Sequence, residues 1–471
     1  MDDASLNKSN RDNKSAMNTE NLSLEEKRKL VAELLQKKQE APRYYPLSSG
    51  QEALWFFQQN APGSTAYNMV AALRMDRGVK EDALTHAWQQ TLARHPAIRV
   101  RFEEKDGILR QEVQQQPTIS MDVVEVEESK GKDLVDLIYL ASKTPIDLKT
   151  AVWRLTLFRS PDENPVLLLC VHHIAGDART MQILVSDLHA LYTAHQTDTK
   201  PDLPYLPATH ARFVEWESKL QHSPEGEKLA AYWRKTLADL PPALELPLDY
   251  PRPPVQGFNG ATVTKDIPHP LADTLRHLAR HRSTTLFNLL LAAFQSLLFR
   301  YSGQTDFAVG IPVAAGRNEE RFRHVAGYLI NVIPVRSEFQ EEGSLSFDNF
   351  LHETHRQVVE ALGHQQYPLS RMVRDLQPER DPSRSPLFQT LFTLREETDS
   401  PWPLIDIPQM EGQFDLSLDI QDRGDALSAA FSYDTNLFSA ATAERMAGHF
   451  KTLLAGIAED PRCRVDRLPL S

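Results

Sequence analysis

Between Asn164-Pro165 and a pair of histidines lie six apolar residues without a polar break, Val166-Leu167-Leu168-Leu169-Cys170-Val171. A strand with one wet face alternates apolar and polar side chains; an unbroken run suits a strand buried on both faces. The Asn-Pro pair before it is a turn signal. Beyond the histidines, Met181, Leu184, Leu188 and Leu191 recur at helical spacing. The heptapeptide His172-His173-Ile174-Ala175-Gly176-Asp177-Ala178 therefore occupies a strand-to-helix connection, where a scaffold commonly presents functional side chains.

Elsewhere the chain alternates helix and strand signals. Ala83, Leu84, Ala87, Trp88 and Leu92 form one side of a helix over 80–94, and Ile98, Val100 and Phe102 alternate as a half-buried strand. The segment 241–254 is dense in proline, which lacks an N–H donor and resists both helix and central strand, so an extended connector is expected there. A second body follows it, with a long apolar helix closed by Gly303 and a strand from Asp306 into an Ala-Ala-Gly-Arg317 turn. Both bodies run helix then strand, a hint of duplication that no sequence repeat establishes. At about 150 residues per domain, 471 residues correspond to about three units, or to two large lobes plus an appendage. The appendage is residues 1–42. Its first 21 residues are too polar to bury a core. A helix then starts at Ser23, where Glu26 completes a capping box, and carries Leu30, Val31, Leu34 and Leu35 on one face. It is expected either to pack on its own lobe or to dock a partner chain.

Composition excludes several classes. With 52 basic against 64 acidic residues the net charge is -12, the wrong sign for a nucleic-acid footprint. Cys170 and Cys463 are the two cysteines, too few for a disulfide framework or an all-cysteine zinc site. The N-terminus has no apolar core of a signal peptide, and no stretch approaches the ~20 apolar residues of a membrane span. A cytoplasmic location is the expectation.

Chemistry centres on the heptapeptide. Imidazole is the side chain best matched to proton transfer near neutral pH. Asp177, four residues after His173 across Gly176, is placed to orient a ring or anchor the loop. Local sequence leaves proton transfer, a structural strand end and metal binding open. Against metal, no third ligand set follows at useful spacing.

Ordered motifs narrow this. Leu47–Phe56, Arg94–Phe102, Val171–Ala178, His210–Trp216, Val325–Arg336, His364–Val373 and Arg380–Phe392 follow one another over more than 300 residues. In that order they resemble the motifs of nonribosomal peptide synthetase condensation domains, including the His-His-x-x-x-Asp-Gly signature. The resemblance runs from about Tyr45 to the C-terminus. It departs at Ala178, where the family has Gly, and at Arg179-Thr180, where it has Trp-Ser. These two departures bear on substrate access, so Ala178 and Arg179 are candidates for lining a substrate tunnel. Ile98 replaces a family leucine at similar volume.

The resemblance implies an α/β fold of two chloramphenicol-acetyltransferase-like lobes in a V, residues 43–240 and 255–471, with a helical N-terminal extension and the active site in a tunnel between the lobes. It implies amide formation: an acceptor α-amine attacks a donor acyl or peptidyl thioester. Both substrates hang on phosphopantetheine arms of carrier proteins, so the domain itself needs no cofactor and no metal. The implied partners are an upstream donor carrier protein, within reach of a polyketide synthase module, and a downstream acceptor carrier. The terminal Leu-Pro-Leu-Ser resembles the start of a linker to an adenylation domain. By carry-over, His173 acts as base or positions the amine, and His172 shapes the loop. Asp177 is held in a salt bridge to Arg99 or Arg317, with Gly176 and Asn331 in support. The alternatives are an epimerisation domain, a stand-alone acyltransferase and a non-catalytic recruitment domain. The second would carry Asp-Phe-Gly-Trp-Gly where this chain has Gln413–Ser417, and the third usually loses the motif histidine.

Overall fold

The structure is a computed structural model that describes residues 43–471, apart from 116, 127–133, 162, 242, 340–344, 397–398 and 408–412. The expected leader helix lies outside the described residues. Eleven α-helices are described: α1 Ser49–Asn60, α2 Glu81–Arg94, α3 Leu134–Ser142, α4 Ala178–Thr197, α5 His210–Gln221, α6 Pro224–Thr236, α7 His269–His281, α8 Leu286–Ser302, α9 Phe347–Gly363, α10 Leu369–Leu376 and α11 Ala440–Glu459. The strands are β1 Tyr44–Tyr45, β2 Asn68–Arg74, β3 Val100–Lys105, β4 Ile108–Val113, β5 Met121–Glu125, β6 Trp153–Arg159, β7 Val166–His172, β8 Gly260–Ile267, β9 Asp306–Val313, β10 Asn331–Glu338, β11 Thr390–Glu396, β12 Leu404–Ile405, β13 Leu416–Asp422 and β14 Leu427–Asp434.

The apolar run is β7, buried along its whole length. It is the middle strand of a five-stranded sheet in the order β12-β2-β7-β6-β5. Cys170 pairs antiparallel with Val70 on one side and Arg154 on the other, so both edges of β7 are hydrogen-bonded. A three-stranded sheet, β1-β4-β3, completes this part of the chain. Ile98, expected in the strand, belongs instead to a 3-10 turn over Pro96–Ile98, with β3 starting at Val100. Pro96 has no N–H to give a ladder and is pre-set for the first position of a turn. Ile98, Val100 and Phe102 are nevertheless all buried.

The second sheet has six strands in the order β10-β9-β11-β13-β14-β8. It is mixed: β11 runs parallel to β9 and β13, and the other pairs are antiparallel. The long apolar helix is α8, almost wholly buried; Thr285 caps its start, and Gly303 at φ +70° ends it in the left-handed region.

Two hydrophobic cores result, one around each large sheet. Chain exchange joins them. Phe322, Val325, Ala326 and Leu329, which follow β9 of the second sheet, are buried in the first core together with Trp402. β12 adds to the first sheet by pairing with β2, Leu404 opposite Leu73. In return, Leu229, Ala230 and Trp233 of α6 are buried in the second core. The described residues of 241–254 form no helix or strand. They are stitched to the second core by Leu244 N–H donating to Gln389 Oε1 (2.7 Å) and by the Arg252–Asp415 ion pair.

Candidate active site

β7 ends at His172, a 3-10 turn covers His173–Ala175, and α4 begins at Ala178. The strand-to-helix connection read from sequence is thus one tight corner. Gly176 is required there by space: a Cβ would lie 2.8 Å from Thr180 Cγ2. Its own φ is extended.

His173 is pinned at three atoms. Its N–H donates to Tyr67 O (2.7 Å), and its carbonyl accepts from Gly176 N–H (3.2 Å). Its ring Nδ1 lies 2.6 Å from Gly176 O. A carbonyl can only accept, so the neutral ring carries its proton on Nδ1 and leaves a lone pair on Nε2. Among the described residues Nε2 has no hydrogen-bond partner. The edges of Tyr328 and Tyr67 flank the ring, with centroids at 5.4 and 6.5 Å. Burial pushes the Tyr67 hydroxyl up to about 12 and the Tyr328 hydroxyl higher still, so both phenols stay neutral. Tyr67 continues through Phe57 (4.6 Å) to Phe258 (4.6 Å). Those two phenylalanines line a cavity of about 860 Å³ between α1 and residues 255–259. His173 thus stands at one end of an aromatic wall whose other end opens into that cavity.

His172 is not equivalent. It is 1 % exposed; its Nδ1 accepts from Ile174 N–H (3.1 Å) and its Nε2 faces Gln58 Oε1 (3.3 Å). Burial first, and the neighbouring His173 second, pull it down to about 3. A buried neutral ring with both nitrogens occupied shapes the corner.

Asp177 is fully buried and does not face His173. Its carboxylate caps α4 by accepting from Thr180 N–H (2.8 Å) and takes Leu329 N–H (3.2 Å). Arg317 grips it with two nitrogens, Nη2 to Oδ1 at 2.7 Å and Nε to Oδ2 at 3.3 Å. The same guanidinium donates to Val325 O (2.8 Å), so it ties the corner to the 322–329 segment. Of the two candidate arginines, Arg317 is the partner. Arg99 donates to Gln114 O (3.2 Å), and its Nε is buried without a partner. Asn331 lies elsewhere: its amide donates to Gln365 O and Tyr367 O and accepts from Leu369 N–H, fixing the start of α10. Ala178 and Arg179 are exposed on the first turn of α4, with Arg179 reaching Gln182 (2.9 Å). Neither is hydrogen-bonded to the His173–Asp177 cluster.

Sequence reasoning missed other contributors. Arg94 and His95 both reach Asp187 Oδ2, at 2.8 and 2.7 Å, locking the C-terminal end of α2 to α4, which Asp177 caps. Burial pushes the Asp187 carboxyl up, but hydrogen bonds from His95 and Arg94 outweigh it and hold the carboxyl low. Tyr328 lies within the Val325–Arg336 motif and Thr180 at a departure from the family pattern, whereas Tyr67 carried no local signal. Among the described residues no three His, Cys, Asp or Glu side chains converge as a metal site requires.

The two lobes form a fold of the chloramphenicol-acetyltransferase type. The condensation-domain family model matches residues 41–471, and the chain belongs to that family, the amide-bond-forming transferases of nonribosomal peptide synthesis. It is 31 % identical over 448 residues to tyrocidine synthase 2 of Brevibacillus parabrevis, covering 92 % of this chain and 12 % of that protein. It is 31 % identical over 438 residues to phosphinothricin tripeptide synthetase PhsC of Streptomyces viridochromogenes, covering 90 % and 40 %. The chain therefore spans less than half the length of these curated relatives. Among solved structures, the X-domain from teicoplanin biosynthesis superposes with a TM-score of 0.83 at 24 % identity, covering 92 % of this chain and 99 % of that one. The condensation domain of the monacolin K polyketide synthase MokA does so at 0.78 and 20 %, covering 90 % and 99 %. Condensation domains work with carrier-protein and adenylation domains of neighbouring modules. No helix among the described residues is long and apolar enough to cross a membrane.

Proposed function

We propose that His173 performs the condensation chemistry through Nε2. An acceptor α-amine, held as an aminoacyl thioester on one carrier protein, attacks the acyl or peptidyl thioester carbonyl held on another. The new N–C bond forms, the C–S bond breaks, and the amine's surplus proton passes to Nε2 and from there to the departing sulfur. Both arms are phosphopantetheine, so the domain supplies geometry and one base. The upstream carrier delivers the donor and the downstream carrier, beside an adenylation domain, delivers the acceptor. The observation that carries this reading is the 2.6 Å contact from Nδ1 to Gly176 O, which fixes the tautomer and leaves Nε2 as the unoccupied acceptor. Asp177 and Arg317 serve by holding the corner, because their atoms are consumed in bonds to each other and to backbone.

Orientation of two tethered reactants can lower such a barrier by roughly 7–11 kcal/mol, and a positioned base adds ~10²–10⁴-fold. The test uses the full chain with a panel of acyl-loaded donor carriers and glycyl-, leucyl- and phenylalanyl-loaded acceptors, with amide product read by mass spectrometry. His173→Ala should melt within about 2 °C of the parent, since its ring is only part-buried. Amide formation should fall by ~10²–10⁴-fold. Turnover near the parent's would reject His173 as the base and leave orientation alone to account for the rate.

A further inference from the structure

We infer that two glutamines on one face of α1, Gln51 and Gln58, are the positioning residues that set the reactive geometry of His173. The inference rests on the role proposed for His173. The two positions are seven apart, two helical turns, and so share a face. Both are buried, Gln51 to 1 % exposure. Gln51 Nε2 donates to Ile174 O at 2.8 Å. Its Oε1 accepts from Ser48 N–H (3.0 Å) and Gln111 Nε2 (2.9 Å), and Gln111 is in turn anchored to Pro46 O (3.0 Å). Both the nitrogen and the oxygen of the Gln51 amide are therefore used, and the amide cannot flip without losing bonds. Gln58 Oε1 faces His172 Nε2 (3.3 Å), which fixes that ring so that its Nδ1 can receive Ile174 N–H.

Ile174, the residue after His173, is thus clamped at its nitrogen through Gln58 and His172, and at its oxygen by Gln51. That clamp sets the 3-10 turn on which the Nδ1–H bond from His173 to Gly176 O depends. A satisfied buried network of this kind rigidifies what it touches, whereas a partly satisfied one does not. Gln51 reaches neither the reacting atoms nor His173 itself, so it acts on placement alone.

The experiment pairs kinetics with a spectroscopic signature. Gln51→Met and Gln58→Met are made in the full chain, labelled with ¹⁵N-histidine, and His173→Ala identifies the His173 signals. The parent should show His173 as the Nδ1–H tautomer, and each variant should show a mixed tautomer. In the carrier-protein assay kcat should fall by about 10–100-fold in Gln51→Met, because a displacement near 1 Å suffices for such a loss. KM should stay within about twofold, because neither glutamine binds substrate. Leu453→Ala, in the other core, should lower the melting temperature but leave kcat and tautomer unchanged. The inference is overturned if both glutamine variants keep the parental tautomer, or if Leu453→Ala loses kcat in step with its melting temperature. If Gln51→Met does not fold, Gln58→Met decides by the same two readouts. Should His173→Ala retain activity, the chemistry proposed for His173 fails, while the tautomer measurement still decides the clamp.

Discussion

Removing Asp177 should cost stability as well as activity, and the size of that cost can be argued from its bonds. The carboxylate is wholly buried and Arg317 is 7 % exposed. Asp177→Ala deletes both bonds to the guanidinium, the cap on α4 and the acceptor for Leu329 N–H. Breaking a buried ion pair from one side typically costs ~3–5 kcal/mol, because the remaining charge is left uncompensated. A lost cap alone is worth ~1 kcal/mol. The contributions overlap at one carboxylate, so the expected total stays at ~3–5 kcal/mol. For lobes of this size that corresponds to a fall in melting temperature of roughly 10 °C. Arg317→Ala should cost a comparable amount by stranding the carboxylate. In Asp177→Ala/Arg317→Ala no charge is stranded, so the double variant should lose less than the sum of the singles by ~2 kcal/mol or more. Chemical denaturation of the four proteins gives the cycle, and amide formation is measured on the same samples. Additive losses, or singles costing under ~1 kcal/mol, would refute the buried-pair argument. An Asp177→Ala protein with parental melting and no turnover would make Asp177 a participant in the chemistry instead.

Further outcomes follow from the same corner. His172 is held neutral, with its folded-state value near 3 against an ordinary 6.5. Its depressed value means the unfolded chain binds a proton that the folded chain refuses. Its contribution is fully present above about pH 6.5, and stability should decline as pH falls from there toward 3, by ~1.4 kcal/mol per pH unit. Urea melts between pH 6.5 and 4.5 should show a slope shallower by about one proton in His172→Asn; an unchanged slope would contradict the buried neutral ring. Gly327 has φ +150°, and a Cβ there would sit 2.3 Å from the His210 ring. Gly327→Ala should therefore displace the 325–329 segment that carries Val325 O and Leu329 N, and lower stability by ~1–3 kcal/mol. Parental melting and turnover in that variant would show that the segment tolerates displacement.

Local sequence determined a good deal of this molecule. The six apolar residues of β7, set off by the Asn164-Pro165 turn, suited a covered strand, and the helical spacing after it placed the corner with His172, His173 and Asp177 on it. Gly303 closing α8 was legible for the same reason: period and punctuation act over a few residues and are set by backbone sterics. What the sequence left open was which distant groups meet. Arg99 and Arg317 were equal candidates for Asp177, and only packing chose Arg317, which is 140 residues away in the chain. The turn after β9 carries it across to the first core, where Phe322 and Leu329 are buried. Nor did any local pattern announce that β12 would join β2, or that α1 would hold Ile174. Such contacts are selected by the shape left when two cores close on each other, and a hydrogen-bond donor has no local propensity for a partner a hundred residues distant. The residue types of the candidate corner and the short-range His173–Gly176 contact were therefore set by the chain, while the long-range bonds from Gln51 to Ile174 O and from Gln58 to His172 were decided by tertiary structure.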